Sequence, residues 1–101
     1  SMERLIRNFR EQCRWEAPWF VALASYHSAD DVGSEAIREA QSSLWHDGVA
    51  LEGPDSDALR GSFRDNGGRG VHFSDLGLKQ HGTIWAECVD NWVIEELARV
   101  R

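Results

Sequence analysis

The alternation of apolar and polar positions along the chain predicts a helix, a strand, a helix, a strand, a loop and a last helix. From Met2 to about Trp15, the residues Leu5, Ile6, Phe9 and Cys13 recur at helical spacing with charges opposite, which predicts an amphipathic helix that needs a cover. Pro18 ends that segment. Trp19 to Ala24 is a continuous apolar run of strand length and predicts an interior strand covered on both faces, as in a parallel sheet. A polar loop, Ser25 to Gly33, leaves its carboxyl end. Ser34 to Trp45 predicts the second helix, because Ile37, Ala40, Gln41 and Leu44 stand at i, i+3, i+4 and i+7. Gln41 lies on that apolar stripe, so its amide needs a buried partner. Val49-Ala50-Leu51 predicts a short second strand, parallel to the first because a helix connects the two.

Glu52 to Asp57 reads as an exposed acidic turn, and its carboxylates match no calcium-loop spacing. Ala58 to Gly70 has only Leu59 and Phe63 as large apolar anchors and four glycines from Gly61 onward. Such a stretch is either a mobile lid or a tight scaffold for His72. The last helix is predicted from about Asp75 to Arg99, with Leu78, Trp85, Cys88, Val89, Trp92 and Leu97 on or near one stripe. Lys79, Glu87, Asp90 and Glu95 are then left to water.

Composition narrows the possibilities. With 101 residues, 42% hydrophobic and 28% charged, the chain is an ordinary globular sequence with one domain as its ceiling, residues 1–101. A doubly wound sheet normally needs more strands than the pattern offers, so this domain is expected to be partial. The Ser1-Met2 opening resembles a cloning remnant before a native start. Net charge is −6, and no basic stripe interleaves with aromatics, which argues against nucleic-acid binding. Arg4, Arg7, Arg10 and Arg14 alternate with Glu3, Glu11 and Glu16 and read as a solvated helix surface. Cys13 and Cys88 read as buried free thiols. His27, His46, His72 and His81 lack paired spacing, so neither a metal nor a cofactor is expected. No apolar run reaches a membrane span and no signal-peptide pattern is present, so no membrane contact and a cytoplasmic location are expected, unless a missing N-terminal part carried an export signal. The five tryptophans, Trp15, Trp19, Trp45, Trp85 and Trp92, either fill one core or leave some rings at an interface.

The chemically suggestive stretch comes late. Asn66-Gly67-Gly68-Arg69-Gly70 delivers His72 between apolar Val71 and Phe73, and Ser74 offers a hydroxyl where the last helix begins. His72 thus stands on a loop just before a helix, where it serves either a function or only local backbone groups.

Gly70-Val71-His72-Phe73-Ser74, with Gly77, Gly82 and Trp85-Ala86-Glu87 after it, resembles the C-terminal block of the SGNH (GDSL-like) hydrolases, in the branch of sialate O-acetylesterases and related carbohydrate acetylesterases. Ile37-Arg38-Glu39-Ala40-Gln41 resembles the Arg-x-Ala-Gln helix of that branch. The resemblance implies a partial flavodoxin-like, three-layer α/β unit in which His72 is the catalytic base. The family's acid stands three residues before the base, where this chain has Arg69, and Asp65 is the substitute within reach in sequence. The family's nucleophile block, oxyanion glycine and Gly-x-Asn-Asp block are not readable in these residues. Ser25, Ser28, Ser62 and Ser74 lie outside any Gly-x-Ser turn. Tyr26, His27 and Asp30 leave the carboxyl end of the first strand, where ligands bind in open α/β sheets, and with Arg69 they are candidates to border a substrate.

Two functions are expected on these grounds. In one, the chain is the histidine-bearing C-terminal portion of a carbohydrate O-acetylesterase, inactive by itself, with an acetylated carbohydrate as ligand and an N-terminal half as partner. In the other, it is a small non-catalytic α/β protein that forms a homo-oligomer through its open sheet edge and tryptophan-rich surface.

Overall fold

The computed structural model describes residues 1–31 and 33–100. Helix α1, Met2–Cys13, begins where the Ser1 hydroxyl accepts from the Arg4 N–H, and ends at Arg14 in the left-handed conformation, φ 53°. Its covered face is narrower than the sequence predicts. Ile6 is fully buried and Phe9 meets Trp19 edge to face at 5.4 Å, whereas Leu5 and Cys13 are exposed.

Strands β1, Phe20–Leu23, and β2, Leu51–Asp55, pair in parallel with Phe20 opposite Leu51, Val21 opposite Glu52 and Leu23 opposite Asp55. The expected interior position of β1 is corrected. The sheet of the described residues has two strands, so β1 has one hydrogen-bonded neighbour, and only its Val21 is buried. The apolar run is continuous because helices cover its faces, while its outer edge stays open.

Helix α2, Glu35–His46, connects the strands, capped by the Ser34 hydroxyl accepting from the Ile37 N–H. Gln41 finds the partner its position demands, accepting from the Ala24 N–H at 2.9 Å and donating to the Ala24 carbonyl at 3.0 Å. The second strand begins two residues later than predicted. The N–H groups of Val49 and Ala50 both donate to the Leu44 carbonyl, so this apolar pair closes α2 and joins the core before pairing starts at Leu51. The core holds Ile6, Val21, Leu44, Val49 and Ala50, with Trp19 and Trp45 packed on it. The Trp45 indole donates to the Val21 carbonyl at 2.7 Å.

Past β2, two single 3-10 turns, Ser56–Ala58 and Gly61–Phe63, and one short helical turn, α3, Asp65–Gly68, lead to the long helix α4, Asp75–Arg99. Its predicted bounds hold, but its stripe is redrawn. Gly77, His81, Trp85, Cys88 and Trp92 face the body, while Leu78, Val89 and Leu97 are exposed. Of the five tryptophans only Trp15 is exposed. The result is a mixed α/β fold of four helices and a short, open, parallel sheet among the described residues. None of its described helices is long and apolar enough to cross a membrane.

Candidate functional site

The carboxyl ends of β1 and β2 bring together the loop after Leu23, the turn after Asp55 and the loop that carries His72. Asp57 anchors the first two. The expected exposed acidic turn is corrected here, because Glu52 to Asp55 lies in β2 and Asp57 is almost completely buried. One Asp57 oxygen accepts from the N–H groups of Ser25 and Tyr26 at 2.7 and 2.8 Å. The other accepts from the Ser25 hydroxyl at 2.8 Å and from Arg38 at 2.9 Å. Burial pushes this carboxyl upward, but the bonds from Ser25, Arg38 and Tyr26 outweigh it and leave it below the ordinary aspartate value. Arg38 also grips both oxygens of Asp55, at 2.8 and 3.0 Å. Bidentate pairing raises the Arg38 value and lowers that of Asp55.

Arg64 anchors the third segment. It is buried, and its donors go to three carbonyls: Nε to Leu59 at 2.7 Å, Nη1 to Val71 at 2.7 Å, Nη2 to Ser56 at 3.1 Å. Its flat faces lie 3.8 Å from the centre of the Tyr26 ring and 4.3 Å from that of Phe73. Burial pulls its value down, but a guanidinium stays charged in a protein.

The glycine-rich stretch is a tight scaffold. Arg64 and Phe73 form an antiparallel bridge, the Asp65 N–H donates to the His72 carbonyl at 2.9 Å, and the Ser74 N–H donates to the Phe63 carbonyl at 2.9 Å. Asn66, Gly67 and Gly68 turn the chain with φ of 50°, 68° and 92°, which explains the Asn-Gly-Gly sequence. His72 is exposed at the end of this closed hairpin, and among the described residues its imidazole makes no hydrogen bond.

The other candidates divide. Tyr26 is drawn under Arg64, and His27 is exposed. Arg69 approaches Asp30 at 3.8 Å, which links the histidine loop to the loop after β1 through two solvent-exposed side chains. Asp65 lies beside His72 along the backbone, but its carboxylate packs against Gly70, with Oδ1 buried and unbonded, and it makes no hydrogen bond to the imidazole.

A second histidine meets a serine. Ser56 Oγ lies 3.1 Å from His81 Nε2, and the Trp85 indole donates to the same nitrogen at 3.2 Å. Indole N–H is only a donor, so Nε2 is the acceptor and the proton of the neutral ring sits on Nδ1. Burial, then the nearby Arg64 cation, lowers the His81 value and so favours the neutral ring. One lone pair divided between two donors, one of them a buried serine, is cement between the turn after β2 and α4. His81 thus joins Trp85 on its own helix to a serine 25 residues away.

Asp57, Arg64, Ser56 and the pairing of Arg38 carry no local sequence signal. Their meaning comes from contacts 19 to 32 residues apart for Asp57 and 25 apart for Ser56. Comparison with family models, with curated proteins and with solved structures gives no match for this chain.

Proposed function

We propose that the chain is the histidine-bearing C-terminal portion of an SGNH-like carbohydrate O-acetylesterase, with His72 as general base and no turnover by itself. One observation carries the reading: an exposed histidine on a closed hairpin stands at the carboxyl end of a sheet whose β1 edge is unpaired and bordered by an apolar groove. That groove, of about 510 Å³, runs over Trp19, Val21, Ile37, Ala40 and Leu44. Further strands carrying a nucleophile are what such an edge accepts. His72 would take the proton of the supplied serine as its oxygen attacks the acetyl carbonyl, and return it to the departing sugar hydroxyl. Water would then release acetate from the acyl-serine. Arg69 is a cation with no acceptor, so it does not take the orienting acid's part.

The test is p-nitrophenyl acetate turnover. The 101-residue chain alone is expected to match His72→Ala, at background. Co-expressed with the nucleophile-bearing N-terminal half of a related acetylesterase, it is expected to gain turnover that His72→Ala lowers by about a hundredfold or more. A folded complex with equal turnover in both versions would sink the proposal.

A second reading, a non-catalytic protein that self-associates through its open sheet edge, is favoured by the same unpaired β1 and the apolar groove beside it. The outward face of α4 adds exposed apolar surface at Val93, Ile94 and Leu97, with Val100 at its C-cap.

A further inference from the structure

We infer that Arg64 is the positioning residue of His72, the side chain that fixes where the histidine loop stands relative to both strand ends. The inference deepens the esterase reading and takes its functional meaning from it, while its structural content stands alone.

His72 is held from both sides by this one group. Val71, immediately before it, gives its carbonyl to Nη1, and Phe73, immediately after it, lays its ring on the guanidinium. Nη2 and Nε fasten the same guanidinium to the turn after β2 through Ser56 and Leu59. Its other face covers Tyr26 in the loop after β1. The Arg64 main chain adds the bridge to Phe73. Three segments, one of them the distant loop of Tyr26, thus share one planar cation, and His72 inherits its position from that plane.

The donor set explains why arginine is used. Its described hydrogen bonds all end on main-chain carbonyls, so they fix backbone and not another mobile side chain. A rigid fork satisfies three divergent acceptors while stacking on two rings. A lysine ammonium keeps the charge but has neither the plane nor the fixed donor directions.

The experiment is NMR on the intact 101-residue chain with Arg64→Lys and Arg64→Ala. The reporters are hydrogen exchange at the amides of Asp65 and Ser74, which close the hairpin, and the ring signals of His72. The Leu51 amide, which donates to Trp19 across the strands, is the reference. In Arg64→Lys, exchange at Asp65 and Ser74 is expected to quicken about tenfold or more, with Leu51 within about twofold of the parent. The single His72 ring signal is expected to broaden or split. Millimolar guanidinium added to Arg64→Ala is expected to slow the two amides again. Retained protection and one sharp His72 signal in the lysine variant would overturn the inference. So would a uniform loss at all three amides, including outright unfolding of both variants, because Arg64 would then be general cement. No ester is present in this measurement. Its failure therefore leaves the esterase proposal standing, and failure of the turnover test leaves Arg64 untouched.

Discussion

Asp57 shows how a single side chain settles the geometry of the strand ends. Four donors converge on a carboxylate that is almost fully buried, and three of them belong to the adjacent residues Ser25 and Tyr26. Asn at this position keeps the shape but turns an N–H toward at least one of those donors. Asp57→Asn is therefore expected to cost about 3 kcal/mol in urea unfolding. The pH dependence has a defined sign. Asp55 and Asp57 both have values lowered in the folded chain, so their contribution is full above the unfolded aspartate value of about 4 and is lost as pH falls through the lower folded values. The parent should lose stability in that acid window, and Asp57→Asn should lose less of it, because its own share is already gone. An equally steep acid limb in both proteins would contradict the assignment.

Among the elements, β2 joins a sequence-opaque placement to close backbone packing. Gly53 is buried, and a Cβ built on it would stand 2.8 Å from the Val21 carbonyl carbon and oxygen and from the Ala22 nitrogen. The strands approach this closely because glycine faces the irregular step between Val21 and Leu23. Gly53→Ala is expected to destabilise the chain by about 2–3 kcal/mol in urea unfolding, since backbone rather than a flexible side chain must yield. A change near zero would mean that the strands can part there freely. The periodic elements are legible in the sequence without this level of detail: α4 is readable from Ser74 to Arg99, and Gln41 announces a buried amide partner. β2 is not, because Glu52-Gly53-Pro54-Asp55 has no apolar alternation and is defined by pairing with β1. Likewise, His72 stands out through its glycines, whereas Arg64 resembles any other arginine. Its role rests on Tyr26, 38 positions away, and on carbonyls that every residue possesses.

At the scale of the whole molecule the chain is under-covered. Its radius of gyration is 15.6 Å, against about 13 Å for a compact domain of this length. Its accessible surface is 7126 Å², where a compact monomer of 11.4 kDa has about 5,800 Å². The excess of about 1,300 Å² exceeds the roughly 800 Å² that each partner buries in a standard interface. Much of the surface in question is apolar: the groove along β1 with Met2 and Ile37, and the outward face of α4. Both functional readings therefore expect the isolated chain to seek a cover, and the groove is the cover's place in each of them. In sedimentation at micromolar concentration, the weight-average mass is expected to rise above 11.4 kDa with concentration. Ile37→Glu, which sets a charge in the groove at a half-exposed position away from His72 and Arg64, should return it to the monomer value. Restoring turnover with an N-terminal half should likewise suppress self-association, because two occupants compete for one edge. A monomer of low frictional ratio at every concentration would mean that the excess surface is tolerated and that neither reading has a partner at β1.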